Sequence, residues 1–275
     1  MNPKIAFFGT PKIAAQVLEK LAKSPHKPHL VITGQDQHLG RSLALKASAV
    51  KLVAEKHNIA ISYKMSDINK SFDLAILVAY GHIIPDSVLR KPKYGFINVH
   101  PSLLPKYRGP SPIISAILAG DKITGSTLII LDSDLDHGPI IAQKELAIAT
   151  NDTHDSLAGK LAALGAQLLI RTLPDYLHQN ISPNAQNHDE ATYTEKITKA
   201  SGKIDIDNPP EKVMLNRMIR AYYPWPTVWT EVDGKRFKLL PEGKIQPEGK
   251  KPMTLKEFSN GYRLLANKFK NVLAN

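Results

Sequence analysis

At the centre of the chain lies the segment Ile97-Asn-Val-His-Pro-Ser-Leu-Leu-Pro-Lys-Tyr-Arg-Gly109. The run from Gly95 to Val99, apolar except for Asn98, predicts a strand, and the prolines that follow predict a turn. Because successive side chains of a strand point to opposite faces, Asn98 and His100 should emerge on the same face. An amide and an imidazole are therefore predicted together at the carboxyl end of a strand, where open α/β sheets bind ligands.

A second segment, Leu131-Asp-Ser-Asp-Leu-Asp-His-Gly-Pro139, supplies a carboxylate on a turn closed by glycine and proline. In acyl transfer, an amide can donate to the carbonyl oxygen while an imidazole and a carboxylate move protons. The side chains of Asn98, His100 and Asp136 are therefore a candidate set for acyl transfer without a covalent enzyme intermediate.

The second segment also has the alternating aspartates of a calcium loop, at positions 132, 134 and 136. An EF-hand loop beginning at Asp132 needs glycine at its sixth position and an acidic residue at its twelfth. Those positions hold His137 and Gln143. The pattern excludes an EF-hand, and we predict no metal in the site.

The composition limits the possible functions. A chain of 275 residues with 43% apolar residues can form one large domain or two moderate ones. The absence of cysteine excludes thiolate nucleophiles, thiolate zinc sites and disulfides. No apolar run could span a bilayer and no secretory signal is evident, so we expect no membrane association and a cytoplasmic location. The net charge of +11 favours a polyanionic partner.

The first elements alternate between strand and helix. Lys4 to Phe8 reads as a buried strand, and a helix follows with Thr10 predicted as its N-cap and Pro11 as its first residue. His29 to Thr33 reads as the next strand, an order that favours a parallel sheet. Gly9 stands alone, without the Gly-x-Gly-x-x-Gly pattern, so a nicotinamide-binding turn is excluded.

The same alternation continues through residues 1–183, which we expect to form the catalytic domain. The uninterrupted apolar run Leu74-Ala-Ile-Leu-Val-Ala79 predicts a central parallel strand, and Gly34 to Lys46 predicts an unusually long loop. The expected fold class is α/β, a Rossmann-like and mostly parallel sheet with helices on both faces. Further elements are predicted at 47–57, 59–62, 112–119, 125–131, 140–149 and 153–178.

The remaining chain predicts a smaller, β-rich domain. Residues 184–203 are polar and contain proline and asparagine, so we expect a linker there. A helix is predicted at 210–222. Two strands, Val228 to Val232 and Lys235 to Leu240, flank Asp233-Gly234, a strong signal for a type I′ hairpin. Residues 204–275 are therefore expected to form the second domain.

Several motifs resemble a known family: Asn98-Val-His100, Ser102-Leu-Leu-Pro105, Arg108-Gly109 and Leu135-Asp136-x-Gly138. They resemble the formyltransferases that use 10-formyltetrahydrofolate. The resemblance runs in order along nearly the whole chain and is strongest to members that formylate methionyl initiator tRNA. It implies a catalytic role for Asn98, His100 and Asp136, a folate cosubstrate, a tRNA partner and a C-terminal domain like an oligonucleotide-binding barrel. The chain ends early for a full five-stranded barrel, and we expect a monomer.

The resemblance also implies binding residues. The folate site would include the turn Ser102, Leu103, Leu104 and Pro105, and the pteridine ring would lie against Ile83 and Ile84. The tRNA would contact Arg41 in the long loop and the basic hairpin residues Lys235, Arg236 and Lys238.

Transfer of the formyl group to an amino-sugar nucleotide is the nearest alternative, since such enzymes share the Asn-x-His and Leu-Asp motifs. The basic charge, the Gly34 to Lys46 loop and the segment Thr192 to Ile197 favour tRNA. Glycinamide ribonucleotide formyltransferases lack the C-terminal extension, and formyl-folate hydrolases carry a regulatory domain before the signature. A non-enzymatic RNA-binding protein would explain the charge but not the polar set.

Overall fold

The computed structural model describes residues 3–39 and 44–273. The chain divides into two compact units. The first consists of Met1–Pro112, Ile123–Ala147 and Ala158–Thr194, and the second of Ile113–Lys122, Ile148–Leu157 and Glu195–Asn275. In the described part of the chain, no helix combines the length and the apolar character needed to cross a lipid bilayer.

Apart from single 3₁₀ turns, the elements of the described residues follow in one order. They are β1 (Ile5–Gly9), α1 (Lys12–Ala22), β2 (Leu30–Ile32), β3 (Gln37–Leu39), β4 (Ala44–Lys46), α2 (Ala49–Lys56), β5 (Ala60–Ser62), β6 (Leu74–Val78), α3 (Asp86–Leu89), β7 (Phe96–His100), α4 (Pro112–Ala119), β8 (Ile123–Ile130), β9 (Ile140–Ala147), α5 (His154–Leu177), α6 (Lys212–Ala221), β10 (Val228–Val232), β11 (Lys235–Leu240), β12 (Lys244–Pro247), α7 (Leu255–Gly261) and α8 (Ala266–Leu273).

The first unit contains a seven-stranded sheet in the order β5-β2-β1-β6-β7-β8-β9. The first five strands in this order, β5-β2-β1-β6-β7, are parallel to one another. Strand β8 runs antiparallel to β7, and β9 runs antiparallel to β8. The apolar strand β6 lies between β1 and β7, as predicted for a central parallel strand. The predicted α/β fold with a mostly parallel sheet is confirmed.

Both faces of this sheet are covered, which explains why its central strands are continuously apolar. In β1, Ile5 and Phe7 pack with apolar residues of α1, α2 and α5 on one face. The alternate residues Ala6 and Phe8 pack on the other face, with apolar residues of α3 and the segment before β6. The two-residue period of the strand thereby divides its side chains between two cores.

The beginning of α1 corrects the sequence prediction. The helix starts at Lys12, and Pro11, with φ −79° and ψ 175°, occupies the N-cap position without a side-chain cap. The hydroxyl of Thr10, predicted to cap the helix, instead accepts a hydrogen bond from the Gly34 N–H at 3.2 Å. The reason is a long-range contact: the hydroxyl joins the chain after β1 to the chain after β2.

The described flanks of the stretch predicted as a long loop form strands that the sequence did not predict. Strands β3 and β4 pair antiparallel with Gln37 opposite Lys46, so that the flanks of the loop form a short hairpin. Such pairing was not recognised because three-residue strands carry too little periodicity to be detected. The predicted tRNA residue Arg41 lies outside the described residues.

The second unit contains a three-stranded antiparallel sheet in the order β10-β11-β12. The turn between β10 and β11 has positive φ at Asp233 (50°) and Gly234 (70°), as a type I′ turn requires. Phe237 of β11 packs edge-on against Phe258 of α7, with the rings at 90°, and against Phe269 of α8, with the rings at 60°. These contacts confirm a small β-rich region, with fewer strands than a five-stranded barrel in the described residues.

Candidate active site

The carboxylate of Asp136 lies between the two polar side chains of β7. Its Oδ1 accepts a hydrogen bond from Asn98 Nδ2 at 3.0 Å and lies 3.5 Å from His100 Nδ1. Its Oδ2 accepts from the Gly109 N–H at 2.8 Å. All three side chains are buried, with exposures of 6% for Asn98, 4% for His100 and 8% for Asp136. The structure therefore brings the three predicted catalytic side chains together.

The path of the Asp136 loop was not evident from the sequence. Because β8 is antiparallel to β7, Ile130 at its end pairs with Ile97 near the start of β7. The two ends of the loop that follows β8 lie next to each other, since the Ile130 N–H donates to the Pro139 carbonyl at 3.0 Å. The loop from 131 to 139 thus leaves and re-enters the sheet at one place, and Asp136 reaches over to Asn98 and His100.

The hydrogen bonds of His100 fix its orientation. Its Nε2 lies 3.0 Å from the carbonyl oxygen of Tyr107. Because a carbonyl only accepts, Nε2 must carry a proton. Nδ1 therefore faces Asp136 and is the ring atom at which a proton can be taken up or released. The imidazolium form of His100 would then donate to the carboxylate of Asp136.

The turn Ser102 to Pro105 is held rigidly by side chains of the two strands β8 and β9. The hydroxyl of Thr127 donates to the Ser102 carbonyl at 2.6 Å and accepts from the Leu104 N–H at 3.2 Å. Gln143 Nε2 donates to the Leu104 carbonyl at 2.7 Å. The hydroxyl of Ser102 donates to the Lys106 carbonyl at 2.6 Å, so it is already engaged within the turn. The turn offers a fixed shape rather than a free hydroxyl.

The other predicted folate residues differ from each other in exposure. Ile83 is 88% exposed, whereas Ile84 is 8% exposed and belongs to the core on one face of the sheet. Nearby, burial raises the pKa of Tyr80 above its usual value. Ile83 can therefore contact a ligand without rearrangement, whereas Ile84 supports the segment from behind.

The predicted tRNA residues of the hairpin do not share one face. Arg236 and Lys238 are two residues apart on β11 and lie on the face that carries Trp229, which pairs with Lys238. The guanidinium of Arg236 lies 4.3 Å from the centre of the Trp229 ring. Lys235 is the first residue after the turn and lies on the opposite face of β11, the face that also carries Phe237. The structure therefore groups two of the three basic residues.

One residue of the site was missed. Gln186 lies in the stretch predicted as a linker, yet it is 5% exposed and its Nε2 donates to the Asp136 carbonyl at 2.9 Å. A glutamine in a polar segment gives no sequence signal of burial, because the segment looks the same as a solvated linker.

Among the described residues, no group of three or more His, Asp or Glu is arranged to hold a metal ion.

Two family models match the chain. A formyl transferase model matches residues 3–173, more than half of the chain. A model for the C-terminal domain of formyl transferases matches residues 196–242.

Curated relatives match over nearly the whole length. The methionyl-tRNA formyltransferase of Thermodesulfovibrio yellowstonii is 38% identical, with 96% of this chain and 97% of the relative covered. That of Koribacter versatilis is 37% identical, with 94% and 96% covered.

Solved structures agree with the fold. A 4-N formyltransferase from Francisella tularensis superposes with a TM-score of 0.69 at 19% identity, covering 87% of this chain and 97% of that chain. An N-formyltransferase from Helicobacter canadensis, in complex with folinic acid and dTDP-3-aminofucose, gives 0.67 at 20% identity, covering 88% and 94%. The matched family models and the relatives establish that the chain belongs to the formyl transferase family.

Proposed function

We propose that this protein transfers the formyl group of 10-formyltetrahydrofolate to the α-amino group of methionyl initiator tRNA, a reaction that serves translation initiation. The observation that carries the proposal is the Asp136 carboxylate between Asn98 and His100 in a chain whose near-full-length relatives are methionyl-tRNA formyltransferases. The protein would act as a cytoplasmic monomer.

The reaction requires an amine, an oxyanion donor and a route for one proton. An α-amino group has a pKa of about 7.7–8.0, so a useful fraction is neutral near pH 7.5. Attack forms a bond from the amine nitrogen to the formyl carbon, and collapse breaks the bond from that carbon to the folate nitrogen. The amine loses a proton and the folate nitrogen gains one, so the transfer is balanced without an oxidant or reductant.

Asn98 supplies the oxyanion donor. One N–H of its carboxamide is bonded to Asp136, which fixes the direction of the second N–H. That second N–H would donate to the formyl oxygen as negative charge develops on it. The loss of one such donor typically costs about 2.7–4 kcal/mol in the barrier.

His100 and Asp136 manage the proton. The Tyr107 carbonyl holds Nε2 in its protonated form, so Nδ1 exchanges the proton beside the Asp136 carboxylate. The carboxylate orients the imidazole and stabilises its charged form. Because His100 and Asp136 lie side by side, they can take the proton from the attacking amine and pass it to the folate nitrogen. A water molecule would carry the proton where the distance requires one.

The substrates would be held by other parts of the chain. The rigid turn Ser102 to Pro105 forms one wall of the folate site, with the side chains of Leu103, Leu104 and Pro105, and the exposed Ile83 covers the pteridine ring with Ile84 behind it. The face of Arg236 and Lys238 would track tRNA phosphates, with Lys235 contributing from the hairpin tip. Arg41 is proposed to contact the acceptor end of the tRNA.

One assay tests the proposed function. The protein is offered 10-formyltetrahydrofolate with methionyl initiator tRNA, with a dTDP-amino sugar, or without an acceptor, and released tetrahydrofolate is followed. Release only with the charged tRNA, together with N-formylmethionyl-tRNA, is the expected result. Preference for the amino sugar would mean that the acceptor is an amino-sugar nucleotide and not tRNA. Equal release of tetrahydrofolate without an acceptor would indicate a hydrolase.

A further inference from the structure

The side chain of Gln186 is completely hydrogen-bonded. Its Nε2 donates to the backbone carbonyls of Asp136 at 2.9 Å and Gly138 at 2.7 Å. Its Oε1 accepts from Nε and Nη2 of Arg108 at 3.2 Å and 2.7 Å. Because a guanidinium only donates, Oε1 must face Arg108 and both N–H groups must face the Asp136 loop.

Arg108 is itself held by the segment that contains Gln186. Its guanidinium, in a residue 1% exposed, also bonds His188 Nδ1 at 2.8 Å and the Tyr193 hydroxyl at 3.3 Å. Its backbone N–H donates to the Thr192 carbonyl and its carbonyl accepts from the Thr194 N–H, both at 2.8 Å. A buried guanidinium needs such partners, because burying an unpaired charge is costly. We call residues 186–194 the brace.

The brace contacts both loops of the site. On one side, Gln186 holds the main chain of Asp136. On the other, Thr192 Oγ1 accepts from the N–H of Tyr107 at 2.8 Å, and the Tyr107 carbonyl orients His100. The distance between the carboxylate and the imidazole therefore depends on a segment whose side chains bond the main chain of both loops.

The backbone of Asp136 needs such support. Its φ of +50° is in the left-handed region, which only a few per cent of residues other than glycine adopt and which aspartate tolerates better than most. Gln186 bonds the carbonyl of this residue, and so it limits rotation of the peptide that sets the direction of the carboxylate.

We propose that Gln186, oriented by Arg108, is a positioning residue for formyl transfer, which keeps the Asp136 carboxylate between Asn98 and His100. The inference rests on the proposed function, since the rate of that reaction reports the position of the carboxylate. A displacement of about 1 Å at a reacting group can cost about 10²-fold in rate.

The variant Gln186→Glu tests this role most directly. Glutamate has nearly the same shape and keeps the contact with Arg108 as an ion pair, but its second oxygen cannot donate to the two loop carbonyls. We expect kcat to fall about 10²-fold, with KM for both substrates changed less than about twofold. The pH profile of kcat should also shift, because the carboxylate that faces His100 has moved. Gln186→Met, which keeps the volume and removes all four bonds, should lose at least as much.

Ser126→Ala is the matched control. It removes one buried hydrogen bond of the same unit, from the Ser126 hydroxyl to the Leu161 carbonyl at 3.2 Å. It should lower Tm without a change in kcat or in the pH profile. A fall in kcat for Ser126→Ala equal to that for Gln186→Glu would show that any buried defect has this effect, and would overturn the proposal.

Two further measurements test the role of Gln186: the effect of its substitution in a variant that lacks the Asp136 carboxylate, and amide hydrogen exchange in the Asp136 loop. In an Asp136→Asn background, Gln186→Glu should cost less than about threefold, since residues that act through one group are not additive. A full 10²-fold further loss would overturn the proposal. Amide exchange in residues 131–139 should rise in Gln186→Glu and not in Ser126→Ala. If the wild-type protein transfers no formyl group, the proposed function is wrong, and amide exchange alone then tests whether Gln186 positions the Asp136 loop. Unchanged exchange in Gln186→Glu would overturn that positioning role.

Discussion

The seven-stranded and the three-stranded sheet of this protein differ in what surrounds their polar side chains. On β7 of the first unit, Asn98 and His100 are buried and bonded to a neighbouring loop. On the hairpin of the second unit, Arg236 and Lys238 remain partly exposed beside the buried ring of Trp229. Both arrangements begin from the same two-residue alternation, so the difference comes from what covers each face.

This difference has a functional consequence. Buried polar groups must find partners, and the partners then hold them at fixed distances, as catalysis requires. Partly exposed cations can neutralise the phosphates of a nucleic acid and release the counterions condensed on it, so their effect on binding depends on salt. Damage to the first region should lower kcat with the salt dependence unchanged, and damage to the second should alter binding of tRNA and its salt dependence.

The largest effect is expected for Asp136→Asn. Asparagine has the same shape but cannot balance the charge of the His100 imidazolium. Replacing the aspartate of a comparable His–Asp pair costs about 10⁴-fold in kcat, and we expect a loss of at least about 10³-fold here. Steady-state kinetics and a thermal melt would be compared, with Tm close to wild type. Near-full activity would remove Asp136 from the mechanism.

Phe237→Ala should have the next largest effect, on stability. Phe237 is 1% exposed and packs against Phe258, Tyr262 and Phe269. Removing a buried phenylalanine costs about 3–5 kcal/mol in the free energy of unfolding, which urea denaturation would measure. Lys235→Ala, on the same strand but exposed, should change it by less than about 0.5 kcal/mol. Equal effects would mean that the covered face does not stabilise this sheet.

A smaller effect is expected for Lys238→Gln on tRNA binding. The slope of log affinity against log salt should decrease by about 1, as for the loss of one phosphate contact, with kcat unchanged. Lys235→Gln, on the other face, should decrease it less. Binding titrations at several salt concentrations would measure both slopes. A larger change for Lys235→Gln would place the tRNA on the opposite side of the hairpin.

The smallest effect is expected for Glu19→Gln, which alters a surface cluster away from any proposed ligand. Ion pairs and hydrogen bonds to Lys23, Lys56 and His57 lower the pKa of Glu19 to about 2. A carboxylate with a lowered pKa stabilises the fold above its ordinary pKa of 4.5, and this contribution is lost as pH falls through about 2. Solvent screens the cluster, so the cost at pH 7 should be below about 1 kcal/mol.

Thermal unfolding of the wild type and of Glu19→Gln would be compared between pH 7 and pH 2. Their difference in Tm should be constant down to about pH 4.5 and should then disappear. A difference that keeps its full pH 7 value at pH 2 would mean that the pairing of Glu19 is not its source.

Much of the site could be predicted from the sequence because it depends on local geometry. Asn98 and His100 share a face for no reason other than their spacing on one strand, and the turn at Asp233 follows from the residue types that tolerate positive φ. Thr10 shows the limit of such reasoning. Its hydroxyl could cap a helix or bond another segment, and only the position of Gly34 determines which of these occurs.

Local pattern was enough to specify the strands of the seven-stranded sheet, the apolar cores on both of its faces and the residue types of the candidate catalytic set, because these depend on neighbours along the chain. Long-range contacts decided the rest. The reach of Asp136 across β7 depends on the antiparallel course of β8, and the burial of Gln186 depends on Arg108, 78 residues away in sequence. Hydrogen bonds between distant segments leave no periodic trace in either one, so only the folded chain reveals them.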